Sequence, residues 1–237
     1  MIFNLRIIGM VVACLFVGQL TTPAYAASGP KLTSDKNQHI PVPAPFPIDP
    51  DAAKPSTMPV SGPDIDEIAC KTGVRQVGLT ASHVTIGDPA YIEFRSRLSA
   101  VIPSGHMYVV FGRLGPDGKP LTSHIMGLYP KGFLLGMYGG AIAWVPAHVT
   151  AFETECTGIA VLTAWRVSMS ETQYQTLLEK ARTYLAKPPL WNMFGYNCNH
   201  FAASFGNLLG LHPPSNFALP AFAYLPAYIK ANPDRAQ

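Results

Sequence analysis

Charge is what this chain has little of. Asp, Glu, Lys and Arg together make up 13% of its 237 residues, and the net charge is +3. No stripe of basic residues is interleaved with aromatics, so the electrostatic footprint of a nucleic-acid binder is missing. The small positive excess tolerates an anionic envelope polymer or lipid surface without specifying either. Metal-ligand spacing is missing as well. No His, Cys, Asp and Glu group is spaced for a metal site, and Cys198 with His200 is not a zinc motif by itself. The glycines between residues 112 and 118 do not match a phosphate loop. No cofactor and no metal are therefore expected. There is no internal repeat.

Long apolar runs are also absent. The stretch from residue 7 to residue 20 is too short to span a bilayer comfortably. With Arg6 before it and Ala24-Tyr25-Ala26 as a small-x-small cleavage site after it, residues 1–26 read as a secretory signal. Val11-Val12-Ala13-Cys14 resembles a lipobox but lies inside the apolar run. Membrane association is thus expected only through an uncleaved or lipidated N-terminus, and the location is periplasmic or secreted.

Cysteine is scarce, with four in the whole chain. Cleavage after Ala26 removes Cys14 and leaves Cys70, Cys156 and Cys198, an odd number for an exported protein. Cys70 and Cys156 have no catalytic context and suit a structural disulfide in an oxidising compartment. Cys198 is then the leftover thiol.

Proline is abundant instead. Pro41, Pro43, Pro45, Pro47 and Pro50 mark residues 27–64 as an extended spacer, with a partner-docking motif as the sharper alternative. A folded domain is expected over residues 65–220 and a C-terminal tail over 221–237. Asp88-Pro89 predicts a short helix to about residue 99. Residues 106–111 and 121–129 predict two strands around the turn at Gly115-Pro116-Asp117-Gly118. The glycine-rich stretch 133–145 predicts one or two further strands. Residues 158–167 predict another strand, and Ser170 with Gln173 a capping box for a helix to about residue 186. The order of elements reads as α+β.

Asn197 stands where an N-cap belongs, before an apolar stretch that Gly210 ends. Cys198 therefore opens a helix, where unpaired backbone N–H groups and the helix dipole favour thiolate over thiol. At about 100° per residue, Cys198, Phe201, Ala202 and Phe205 share the core-facing side and His200 lies nearly opposite. A nucleophilic thiol needs an imidazole from another element. His106, at the start of a strand after Pro103-Ser104-Gly105, is the best candidate base. His124, on the neighbouring strand, is the candidate third member. A simple turn would place His124 opposite Phe111 and His106 opposite Tyr129, which separates the two histidines. An amide, a main-chain carbonyl or a tyrosine is the alternative orienting group.

A strand-borne histidine followed by a helix-opening cysteine in Tyr196-Asn197-Cys198-Asn199-His200-Phe201 resembles the circularly permuted papain-like hydrolases. That superfamily includes the NlpC-type peptidases and the lecithin retinol acyltransferase group. The segments Gly105-His106-Met107-Tyr108, Gly127-Leu128-Tyr129-Pro130 and Glu171-Thr172-Gln173-Tyr174 are similar to exported bacterial proteins of this type. The resemblance implies a permuted papain-like fold, an antiparallel sheet packed on the cysteine helix, with Cys198 as nucleophile and His106 as base. It also implies hydrolysis or acyl transfer at an amide or ester bond. The envelope location makes a cell-wall peptide the expected substrate, with a lipid acyl group second. A non-catalytic envelope-binding or scaffold module that keeps the fold is the alternative.

Overall fold

Strand-forming residues and buried charge together shape the centre of this domain. A computed structural model describes residues 65, 70, 73–99, 104–132 and 134–236, and the expected signal and proline-rich spacer lie outside them. Six strands form one sheet in the order β1-β6-β2-β3-β4-β5. They are β1 Ala81–His83, β2 Ala90–Arg97, β3 His106–Arg113, β4 His124–Pro130, β5 Ala147–Thr150 and β6 Val161–Met169. β1 runs parallel to β6 and every other pairing is antiparallel, so the sheet is mixed. Among the described residues there are five α-helices: α1 Leu134–Ile142, α2 Glu153–Cys156, α3 Glu171–Ala186, α4 Cys198–Gly206 and α5 Ala221–Lys230. The class is α+β, as its element order predicts.

The sheet has one apolar buried face and one mixed face, where a small apolar cluster adjoins buried charges. Met107, Val109 and Phe111 of β3 point into a core shared with Phe201, Ala202 and Phe205 of α4 and Tyr224, Leu225 and Tyr228 of α5. Each of these large side chains stabilises the fold by about 1.5–3 kcal/mol through burial. Tyr108 and Val110 point the other way, toward Tyr91 and Cys156. On that side Glu93 pairs with Arg95 at 2.6 Å and with Arg166 at 2.6 Å, all three buried.

That polar layer explains the first correction. Residues 88–99, expected as a helix, contain the central strand β2, Ala90–Arg97. Ile92 and Phe94 enter the apolar core while Glu93 and Arg95 enter the ionic layer, so the period is two. A second correction concerns residues 133–145. They contain helix α1, not strands. A Cβ on Gly140 would stand 2.2 Å from the Trp191 ring, so this glycine serves close helix packing. Third, residues 221–230, expected in a tail, form helix α5. Pro226 removes one helix hydrogen bond, and the burial of Tyr224, Leu225 and Tyr228 overrides that cost.

Other expectations hold. Ser170 caps α3 through Gln173, and α3 ends at Ala186. α4 passes through a 3-10 turn at Asn207–Leu209 and stops at Gly210, whose φ is +70°. Cys70 and Cys156 form a disulfide across 86 residues, tying the segment before β1 to α2, and Cys198 is free.

Candidate active site

Two asparagines fix the start of α4. Asn197 is extended, and its Oδ1 accepts from the amides of Asn199 at 2.9 Å and His200 at 3.3 Å. Its Nδ2 donates to the carbonyls of Met193 at 2.8 Å and Phe217 at 3.0 Å. Asn199 Nδ2 donates to the carbonyls of Phe217 at 3.1 Å and Leu219 at 2.8 Å. Cys198 is thus held between a cap and a clamp on the segment that leads into α5. The cap was legible in sequence; the clamp needs the folded chain.

The thiol of Cys198 lies against β3. The β3–β4 ladder stops at Val109 and Met126, short of Met107. There the sulfur meets the Met107 amide, together with the amides of Asn199 and of Cys198 itself. Burial pushes the thiol up from its ordinary pKa, against the opposing pull of these amides and of the Arg97 charge. Burial thus works against the thiolate that the helix start favours. Desolvation outweighs the helix start, because the thiol sits within the packed core edge rather than at an open helix tip.

His106 precedes Met107 in β3, and its side chain enters the polar face. Its ring stacks on Tyr129 at 4.2 Å, and its Nε2 stands 3.5 Å from Glu155 Oε1 without completing a hydrogen bond. Glu155 Oε1 already accepts from the Tyr129 hydroxyl and from Arg97 Nε at 3.4 Å, while Oε2 accepts from the Phe152 amide at 3.1 Å. Burial, with the nearby Arg97 charge, holds His106 well below its ordinary pKa. Burial pushes Glu155 up. Gly127 makes room for this arrangement: a Cβ there would lie 2.8 Å from His106 Nε2 and 2.9 Å from the Tyr129 ring.

The structure thus brings the thiol to the peptide unit that follows His106, while directing the imidazole toward Glu155. It does not bring His124 to the cysteine. His124 pairs with Phe111, the register read from the turn, and its ring lies tilted against the Phe111 ring at 5.5 Å, at the far end of the β3–β4 ladder from Met107. The position expected for an orienting group beside His106 is held by Glu155, which sequence reasoning missed. Its signal was indirect: a carboxylate one residue before a structural cysteine is drawn inside with it. His200 accepts the Asn197 amide through Nδ1 at 3.3 Å and stacks on Phe217 at 3.9 Å. Burial pushes its pKa down to about 4, so it is a neutral part of the cap.

Among the described residues no group of three or more His, Cys, Asp and Glu is placed to hold a metal, and no helix is long and apolar enough to cross a membrane. The fold and site together define a mixed α+β domain with a free thiol at a helix start on one face of the sheet and a buried histidine–glutamate pair on the other. Comparison with protein-family models, curated proteins and solved structures finds no match for this chain.

Proposed function

We propose that this chain is an exported thiol hydrolase or acyl-transfer enzyme of permuted papain-like architecture, in which Cys198, His106 and Glu155 act together. One observation carries the reading. The helix-opening thiol lies at the Met107 amide, and the imidazole of the preceding residue, His106, directs Nε2 toward a buried carboxylate at 3.5 Å. Short tightening of that contact, of the kind substrate binding produces, gives an Nε2–H donated to Glu155 and leaves Nδ1 as the free base. Cys198 then attacks an amide or ester carbonyl. The S–C bond forms and the carbonyl C–N or C–O bond breaks; the thiol proton passes to His106 once its ring, carried by the first residue of β3, turns round the strand end toward the thiol, and the same proton goes to the departing amine or alcohol. Water, deprotonated by His106, releases the acyl group from sulfur, or an acceptor hydroxyl or amine takes it. The Cys198 amide stands at the helix start as an oxyanion donor, since Asn197 takes the amides of Asn199 and His200. Glu155 is a positioning residue that fixes the ring and its tautomer. A cell-wall peptide is the first substrate class and a lipid acyl group the second.

The test is acylation by an activated ester such as p-nitrophenyl acetate, read by mass spectrometry of Cys198 and by product release. The natural protein should form a Cys198 thioester, and Cys198→Ala should form none while retaining its fold. His106→Ala should slow acylation at least a hundredfold. Acylation that is absent, or indifferent to His106, would sink the proposal.

A non-catalytic binding module is the second reading, favoured by one observation: the thiol packs on the apolar face of the sheet while the imidazole faces Glu155 on the polar one. The same experiment separates the two.

A further inference from the structure

Helix α1 lies on the surface with its apolar side outward. Leu135, Tyr138 and Ile142, spaced along one stripe, are 83%, 57% and 90% exposed. The segment that leads into α4 extends the stripe. Trp144 packs its ring over Gly195, where an added Cβ would meet it at 2.7 Å, and Phe194 beside it is 63% exposed. The two segments are pinned together. The amides of Val145 and Trp191 exchange hydrogen bonds with each other's carbonyls at 2.9 and 2.8 Å, and the Met193 amide donates to the Gly140 carbonyl at 2.9 Å. The patch is therefore a built surface rather than a set of scattered side chains, and contiguous exposed apolar patches mark interaction sites.

Its charge identifies the partner. Residues 131–152 and 187–200 contain Lys131 and Lys187, both exposed, and no Asp or Glu. Exposed aliphatic and aromatic tips, on stretches of chain that carry two lysines and no carboxylate, match the chemistry of a lipid headgroup boundary bearing negative charge. We infer that α1 and the loop before α4 form a docking surface for an anionic lipid bilayer. The loop runs directly into Cys198, so docking would set the candidate site beside the membrane. The inference stands on the patch and does not require the site to be catalytic.

The experiment uses the full chain with vesicles of brominated phosphatidylcholine, with and without phosphatidylglycerol. All three tryptophans lie in the folded domain, at residues 144, 165 and 191, and Trp165 is fully buried. Quenching therefore reports contact by the domain and not by the N-terminal apolar run. Phosphatidylglycerol vesicles should quench the fluorescence, and Trp144→Phe should remove most of the quenching. Ile142→Glu should weaken vesicle binding at least tenfold, and Lys131→Glu with Lys187→Glu should abolish the preference for phosphatidylglycerol. Each substitution is at the surface, and circular dichroism verifies its fold. Absence of quenching in the natural protein, or binding indifferent to Ile142→Glu, overturns the inference. So does a dimer in solution that Ile142→Glu dissociates, which would assign the stripe to a second copy of the chain.

Discussion

The two faces of the central sheet are buried by different means, one wholly apolar and the other by a small apolar cluster beside a layer of paired charges. Beneath α4 and α5 the face is Met107, Val109, Phe111, Phe94 and Trp165, and its energy is non-directional burial. On the other side Glu93, Arg95, Arg166, Arg97 and Glu155 are taken out of water in pairs, with Tyr108 and Tyr129 among them. The apolar face sets where helices sit, because any well-packed arrangement of similar volume is tolerated. The ionic face sets which atom meets which, because a buried charge left alone is heavily penalised. The candidate site lies at the end of β3, where the two meet. The thiol belongs to the apolar side and the His106–Glu155 pair to the polar one.

The contrast is sharpest under substitution. Glu93→Ala leaves Arg95 and Arg166 buried without their carboxylate and should cost about 3–5 kcal/mol in denaturant unfolding. Replacing Glu93, Arg95 and Arg166 together by apolar residues of similar size should cost far less, although the single loss is large. No such rescue should exist on the other face. There Phe201→Ala removes a fully buried ring and should cost about 3–5 kcal/mol in any background. Equal costs for the single and triple ionic changes would show that the polar layer is not energetically a unit.

Removing the Cys70–Cys156 disulfide should cost about 2–5 kcal/mol. Because Glu155 adjoins Cys156, it should also disturb the His106 pair. Cys70→Ser with Cys156→Ser should therefore lose acylation as well as melting temperature, while Phe201→Ala at permissive temperature should keep its acylation.

Acid should act through the histidines. His106 and His200 both have folded pKa values below the ordinary 6.5, His200 at about 4. The unfolded chain binds those protons more readily, so the stability concerned is full above about pH 6.5 and is lost as pH falls toward 4. Glu155, raised by burial, acts in the opposite sense, since protonating it in the fold relieves its desolvation. His200→Gln preserves a capping side chain and should flatten the decline in melting temperature between those pH values. At the reactive thiol, the midpoint of iodoacetamide alkylation at rest should lie above the ~8.5 of a free cysteine, and a midpoint below it would contradict the burial seen here. The smallest effect is expected at the surface. Glu171 is held down at about 2 by Arg113, yet the pair is exposed to solvent, and Arg113→Ala should leave the melting temperature within error.

Local chemistry was readable wherever one short segment carried it. Ser170 with Gln173, Asn197 before Cys198, and Gly210 after the cysteine helix are each decided by hydrogen bonds within a few residues. The Phe111–His124 register followed from the turn alone, and the disulfide from the cysteine count. Where a segment's environment came from distant chain, local signals misled. Asp88-Pro89 looked like a helix opening, yet the charges that follow it alternate because a second buried layer, brought by Arg166 and Glu155, is there to receive them. The glycines of α1 suggested strands because nothing nearby announces Trp191 as their neighbour.

The sequence by itself determined a free cysteine at a capped helix start, a histidine at the start of a strand, and the α+β class. Those features depend on backbone groups and side chains that are close along the chain. Only the tertiary structure decided that burial opposes ionisation of the thiol, that Glu155 rather than His124 adjoins His106, and that an apolar stripe is left on the surface beside the site. Desolvation, charge pairing and exposure belong to the surroundings of a group, and those surroundings are assembled from residues far apart in sequence.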